Sequence, residues 1–458
     1  MLIRKYDFNY GRRELMAKGA AMAGGGLLSS LWPLIANGAD ITKAYPEELL
    51  SVDAYTKGAI KTGDIVDANN VDHVKALIAP IMYHQIKEMG RRIRIVPTVT
   101  DVSKMFPNAF LQATLSNQGK GMLDADGNVT TTSGGQWIGG LPFTQPKSAL
   151  EVFSNLTLSW GRHDNDIFAI TDQDIGPDGE ISYEYDFLWV EEQVSGRIGG
   201  RGEFTGPEHA DKLRYQTVVF TAPADSKGTA YLSTWYYDQR KFPDLVGYVP
   251  AFKRVRKFPT NQRFEPLVAG MTLYLSDAWA AGDPMLTWGD YKIIGRQPML
   301  GAVSENWHGD LPNYVAPTHG GQKGKTFYEI NYSMVPECIV IDATPTGYPR
   351  APVGRKRVWV DVRNMQFIAY ETYDRRDQSL KSFEPVWGQR IVNGEVLMKE
   401  TDGTPLWSWT HVHSHDIQTN RMTRFTHCKE VGGVVGGFNL EGIYDKYLTA
   451  QAINRLGT

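Results

Sequence analysis

Three histidines occupy alternate positions of Trp407-Ser408-Trp409-Thr410-His411-Val412-His413-Ser414-His415-Asp416. In a β-strand alternate residues share a face, so His411, His413 and His415 would project together, and neutral imidazoles suit zinc, copper or nickel. Same-face neighbours lie about 7 Å apart, so two can meet one ion, whereas three need a bend or a ligand from His427, Cys428, or His163 with Asp164. His411 and His413 are the candidate metal ligands on this reading. The alternatives are solvated or hydrogen-bonded imidazoles, or a pH-sensitive latch titrating near about 6.5.

A second set of residues could hold an apolar guest. Trp235, Tyr237, Trp359, Tyr370, Trp407 and Trp409 fall in alternating segments, where large amphipathic rings on one sheet face would line a hollow for an acyl chain or fused-ring hydrocarbon. Each methylene so buried is worth about 0.8 kcal/mol. Packing of the same rings into a core is the competing reading.

Other chemical motifs fail on spacing. Asp172-Gln173-Asp174-Ile175-Gly176-Pro177-Asp178-Gly179-Glu180 resembles a calcium loop, but Pro177 holds the sixth position and Tyr183 the twelfth, where a glycine and a glutamate are required. An acidic hairpin turn is expected instead. Gly320-Gly321-Gln322-Lys323-Gly324-Lys325-Thr326 would need a glycine at His319 to be a phosphate loop, and Gly200-Arg201-Gly202 lacks the third glycine of a dinucleotide fingerprint. No cofactor is implied. Neither Gly-x-Ser-x-Gly nor His-Glu-x-x-His occurs.

The elements that must position these residues are mostly strands. Residues 357–373 read as two strands about a turn at Asn364 and Met365, with Val362 expected opposite Phe367, Val360 opposite Ala369 and Trp359 opposite Tyr370. One face is then apolar, and the other carries Trp359, Asp361, Ile368 and Tyr370. Alternation marks further strands at 213–221, 229–238, 246–257, 291–300, 328–334, 338–343 and 407–415. Upstream, Asn70 is placed to cap a helix of Val71, Val74, Leu77, Ile78, Ile81 and Ile86 that Gly90 ends and Pro80 kinks or divides. Residues 91–146, rich in Gly, Thr and Asn, read as a loop-dominated arm, and a short helix is expected at 147–160. No repeat of 20 to 50 residues argues for a propeller or solenoid. The expectation is a β-rich α+β fold, one domain over 39–458 built on a long curved antiparallel sheet with N-terminal helices against one face.

Composition agrees. The chain has 46 Gly, 24 Pro, 22 Tyr and 12 Trp, which suit turns and half-buried aromatic sheets more than a helical bundle. A net charge of −3 supplies no basic field for nucleic acid. Cys338 and Cys428 could pair in an oxidising compartment or remain as two buried thiols.

The N-terminus points to export. Gly11-Arg12-Arg13-Glu14-Leu15-Met16-Ala17-Lys18 resembles a twin-arginine signal, though without the usual Ser or Thr before the arginines. A weakly apolar stretch at 19–35 and small residues in Ala36-Asn37-Gly38 complete an export segment, 1–38, for which removal is expected over retention as an anchor, since a spanning helix needs about 20 strongly apolar residues. The expected location is periplasmic. No cysteine directly follows the cleavage site, so the chain itself is not a lipoprotein.

Several motifs together resemble one family. Gly140-Leu141-Pro142-Phe143, Tyr236-Tyr237-Asp238-Gln239-Arg240-Lys241, Ser276-Asp277-Ala278-Trp279-Ala280-Ala281-Gly282-Asp283-Pro284, Trp288-Gly289-Asp290-Tyr291 and the 358–374 hairpin recur in this order in a large family of unknown function labelled outer-membrane lipoprotein-sorting-like. The resemblance covers nearly all of 39–458. It implies an open antiparallel half-barrel related to periplasmic lipoprotein carriers, and a gene neighbourhood with an outer-membrane protein and an inner-membrane efflux-type transporter. No catalytic residues follow from it, and this chain is much longer than a lipoprotein carrier.

Taken with the aromatic residues, the resemblance leads to a periplasmic carrier or adaptor that passes a lipid-, acyl- or sterol-like molecule between envelope components. An exported metal-dependent enzyme using the histidine strand, and a scaffold for an efflux-type transporter docking through loops such as 91–146, are the alternatives.

Overall fold

The computed structural model describes residues 41–457 except 159–161, 201, 203, 260–262, 267, 278–281 and 306–311. The expected export segment, 1–38, lies outside the described residues, as does Trp160 at the end of the expected helix.

Two antiparallel meanders make the body of a 17-stranded sheet. The first comprises β1 (Asn165–Ile175), β2 (Ile181–Gln193), β3 (Lys212–Ala222), β4 (Ala230–Tyr236), β5 (Asp244–Val249) and β6 (Arg254–Phe258), each paired with the next. The second comprises β7 (Gly289–Gly301), β8 (Asn331–Thr344), β9 (Val353–Asp361), β10 (Phe367–Asp374), β11 (Ser379–Gln389), β12 (Trp407–Asp416) and β13 (Arg421–Cys428). β13 pairs with β1 and joins the two halves, with Phe425 opposite Asp172. Consecutive strands β6 and β7 therefore stand at opposite edges. The sheet is large, antiparallel and not closed; helices are few.

Alternation located most of these strands and misplaced some boundaries. The run 246–257 is interrupted at Pro250–Phe252 and Lys253, the latter left-handed at φ 50°, and so forms β5 and β6. The runs 328–334 and 338–343 instead belong largely to one long strand, β8, with Phe327–Tyr328 a separate short strand. The acidic motif is the β1–β2 turn: the Gly176 amide donates to the Glu180 carbonyl at 2.8 Å, and Gly179 takes φ 80°.

Two bulges reset which side chains share a face. Ile368 is the extra residue between the pairs Trp359–Ala369 and Val360–Phe367, so the expected pairing of Trp359 with Tyr370 and of Val362 with Phe367 is off by one or more positions. Val358 is the partner of Tyr370, and Trp359 and Tyr370 point to opposite faces. Trp359, Asp361, Ile368 and Tyr370, expected to share the second face, therefore do not share one, and all four are buried. Thr410 is the extra residue between Trp387–Trp409 and Val386–His411, so Trp407 and Trp409 face one way and His411, His413 and His415 the other.

The front face, that of Tyr370 and Trp409, is covered by α3 (Ala149–Leu158) and by the 259–288 connection between β6 and β7. The back face is covered by N-terminal elements and, unexpectedly, by C-terminal ones. Pro80 divides the expected first helix into a 3-10 stretch, Val71–Leu77, and an α-helix, α1 (Pro80–Glu88), whose first turn tolerates the missing proline N–H. Asn70 does not cap it; its side chain accepts from the Asp67 amide and donates to the Ile65 carbonyl. The final helix, α4 (Ala450–Leu456), starts with Thr449 accepting from the Ala452 amide and buries Ala452 and Ile453. Residues 91–146 are not a loose arm. They hold a short strand, Ile93–Ile95, a helix, α2 (Asn108–Ser116), and the hairpin Gly121–Leu123 with Val129–Thr131, and they bury Phe106, Phe110, Trp137, Leu141 and Phe143 in the main core.

The buried Arg263–Asp283 ion pair ties the two ends of the 259–288 connection together; Arg263 also donates to the Leu275 carbonyl at 3.2 Å, and Asp283 accepts from Trp288 Nε1 at 2.7 Å. Removing one partner of a buried pair leaves the other charge stranded. Arg263→Ala is therefore expected to lower unfolding free energy in urea titration by about 3 kcal/mol.

Candidate ligand-binding site

The connection lays Met271, Leu273, Tyr274 and Leu275 over an apolar cavity whose floor is Ile170, Phe187, Trp189, Val218, Phe220, Phe383 and Phe425. These floor residues come from β1, β2, β3, β11 and β13, and Met271 and Leu273 are themselves buried. The remaining space is about 30 Å³, so the chain's own side chains nearly fill the chamber. The roof is held by polar contacts grouped at one residue. Thr272 donates its amide to Thr423 Oγ1 at 2.7 Å and its hydroxyl to the Ser414 carbonyl at 3.1 Å, and its carbonyl accepts from Lys381 Nζ at 2.6 Å. Lys381 also pairs with Asp277 and lies 3.1 Å from the centre of the Tyr274 ring. Thr423 in turn donates a hydrogen bond from its hydroxyl to the carboxyl of Asp174, whose pKa burial lifts to about 7. Beside it Asp172 is fully buried with neither carboxyl oxygen hydrogen bonded, and burial and Asp174 raise it well above the carboxylate range.

A second small chamber, also about 30 Å³, lies next along β1 and β13. Its walls include Phe168, Trp387, Trp407, Trp409 and Phe438 with Arg162, His163, Asp166 and His427. His163 sits between carboxylates, 3.0 Å from Asp166 and 3.2 Å from Glu400, and stacks on Phe438 at 4.3 Å. Burial alone would lower its pKa, but the two carboxylates outweigh that and raise it to about 10. Burial raises Asp166 in spite of its ion pair.

The six aromatic residues expected to line one hollow are split. Trp407 and Trp409 line this second chamber; Tyr370 stands near the connection, 3.5 Å from Asp277; Trp235 packs against Arg214 and Arg263. Tyr237 is half-buried and fixed by the Trp137 amide and the Val129 carbonyl, at 2.6 and 2.8 Å, and Trp359 is on the back. The residues that do form the apolar chamber were not singled out from sequence, although Phe187, Trp189, Val218 and Phe220 alternate in their strands and carried the signal.

The histidines lie behind the sheet. His413 Nε2 accepts from the Tyr328 amide at 3.0 Å, and His415 Nδ1 meets Gln85 Nε2 at 3.1 Å. Burial drives His413 well below its ordinary range and His415 to about 4, so neither acts as a latch near pH 6.5. His411 and His413 are flanked by Tyr328, at 4.4 and 5.4 Å between ring centres, and among the described residues no group of three or more His, Cys, Asp or Glu is placed to hold a metal ion. Cys338 and Cys428 are free buried thiols.

An open antiparallel sheet that roofs an apolar chamber with its own edge-to-edge connection defines the class of protein. The chain matches, over residues 65–454, the family described as Protein of unknown function (DUF1329), and it belongs to that family. Its structure is similar to those of a DUF1329 family protein from Desulfovibrio piger (16% identity, TM-score 0.44, covering 67% of this chain and 97% of that one) and of a domain assigned as an outer membrane lipoprotein-sorting protein from Vibrio parahaemolyticus (15%, 0.39, 64% and 92%). A LolA superfamily protein from Nitrosomonas europaea is also similar (15%, 0.33, 61% and 91%). No curated protein matches. Among the described residues no helix is long and apolar enough to cross a membrane.

Because pairing raises His163 in the folded state from 6.5 to about 10, the stability it contributes is complete below about pH 6.5 and is lost as pH climbs through 10. His163→Gln should therefore lose about 2 to 3 kcal/mol at pH 6, with the gap to the parent protein closing as denaturation curves are taken toward pH 10.

Proposed function

We propose that this protein is a periplasmic carrier that takes up a hydrophobic molecule in the front-face chamber and passes it between envelope components. The observation that supports this most is the composition of that chamber: a wholly apolar floor drawn from five strands, covered by a segment whose polar anchors beside the chamber are the hydrogen bonds of Thr272 and the Asp277–Lys381 pair. The carrier reading gives Met271 and Leu273 the role of stand-ins for the guest, occupying its place until it arrives.

Uptake requires the roof to lift. The lost roof contacts are offset by guest methylenes on the same floor, at about 0.8 kcal/mol each. The export segment expected at 1–38 supplies the periplasmic part of this reading, and an inner-membrane transporter and an outer-membrane protein are the partners it envisages. The enzyme alternative gains no support from the back-face histidines.

Two experiments address the carrier. Mass spectrometry of what leaves the natively purified protein on denaturation should find a hydrophobic small molecule. In fluorescence titration with an acyl probe, replacing both Met271 and Leu273 by Ala should tighten binding about tenfold by removing the internal competitors, and Phe425→Asp should abolish it. No extracted ligand, together with no probe binding by the double variant, would sink the proposal.

A further inference from the structure

The β5–β6 hairpin departs in charge from the rest of the chain. Between Asp244 and Glu265 there is no acid, and Lys253, Arg254, Arg256 and Lys257 fall together there, in a chain whose net charge is −3. All four are exposed. Among the described residues only Lys257 of the four is ion-paired, to Asp244 at 2.9 Å, and that pair lies in solvent.

Basic side chains on an edge strand serve to deter pairing with another sheet. That role does not account for Phe252. It stands at the turn, in the 3-10 stretch Pro250–Phe252 that buries none of its residues, and is 49% exposed, with the Arg256 guanidinium 4.1 Å from its ring centre. An exposed aromatic side chain flanked by cations is the composition of an element that enters the headgroup region of an anionic bilayer, the ring reaching the acyl boundary and the cations staying with the phosphates.

Other occupants fit this surface less well. A second copy of the chain would set four like charges against these four. A protein partner would need about 800 Å² on each side, and a turn with one large apolar residue offers a point of entry instead of a face.

The hairpin's place in the sheet gives docking a consequence. On the front face one rung runs from Val218 of β3, in the floor of the apolar chamber, through Tyr231 of β4 and Gly247 of β5 to Arg256 of β6. Three strand spacings, about 15 Å, separate its ends. Gly247 is kept small by its neighbours: a Cβ there would sit 2.8 Å from the Tyr231 ring and 2.7 Å from that of Phe258. The chain leaving β6 after Phe258 is the connection that roofs the chamber.

We propose that the β5–β6 hairpin docks this protein on an anionic lipid bilayer, Phe252 entering the interface and Lys253, Arg254 and Arg256 meeting the phosphates, so that the edge from which the roof departs faces the membrane. Docking does not depend on the carrier reading; it adds the surface at which a carried guest would be exchanged.

The test is flotation of the full chain with vesicles of phosphatidylcholine alone or of an equal mixture with phosphatidylglycerol. The anionic vesicles should bind about tenfold more tightly, and raised salt should remove the difference. Lys253→Gln with Arg254→Gln should weaken binding to the anionic vesicles about 25-fold, at about fivefold for each charge, and Phe252→Ser about tenfold. An unchanged urea midpoint reports that these variants of exposed residues are folded. Equal binding of the two vesicle types, or binding of neither, overturns the inference. So do variants that bind as the parent does, which would assign the affinity to another part of the chain. Binding to polyglutamate in place of vesicles also overturns it, and gives the hairpin to an acidic protein. Each of these outcomes leaves the carrier reading standing, since that is decided by the acyl probe.

Discussion

The structure depends on one constraint of connectivity. Strands β6 and β7 follow one another in sequence and occupy opposite edges of the sheet, so the chain between them must pass over a face. That passage decides what happens to the front of the sheet. It touches the strands in turn, at Tyr185 through the Ala269 carbonyl, at Thr423 and Ser414 through Thr272, at Lys381 and Tyr370 through Asp277, and at Lys356 through Trp288. A large apolar face that would otherwise meet water is covered by a ribbon whose side chains are partly core and partly lid.

The polar groups beneath this ribbon are unusual for a core. Asp172 and Asp174 lie on the front of β1, fully buried, and Lys356 has a buried Nζ without a hydrogen bond, held over Trp288 and Phe153 at 4.0 and 4.3 Å. Burial lowers that lysine to about 7. Unpaired buried ionisable groups cost stability, and a fold retains them where local rigidity or a site requires them. Here they border the route of the connection, and Asp174 is one hydrogen bond removed from the amide that anchors it.

Much of the architecture was legible in the sequence. Period-two alternation located most of the strands, though not β1, β2, β11 or β13, the acidic motif declared itself a turn through its misplaced proline, and the ordered motifs led to the family. The site was harder to read. Alternation assumes an unbroken pleat, and single extra residues at Ile368 and Thr410 put Trp359 behind the sheet and parted the tryptophans of β12 from its histidines. Neither residue is a Gly or Pro, so nothing local announced a bulge. The segment 91–146 looked like a loop because it is rich in Gly and Thr, yet Phe106, Phe110 and Trp137 fasten it to the core through contacts remote in sequence. The connection between opposite edges that creates the roof is a property of topology, which no window of residues contains.

Carriage as proposed requires the ribbon at Thr272 to yield its place to a guest. Hydrogen exchange at the Thr272 amide, followed by mass spectrometry with and without a saturating acyl ligand, measures this directly. Faster exchange is expected there when ligand is bound, as the bond to Thr423 opens, with the amides of β1 and β13 unchanged. Unchanged or slower exchange at Thr272 in the presence of bound ligand would contradict it.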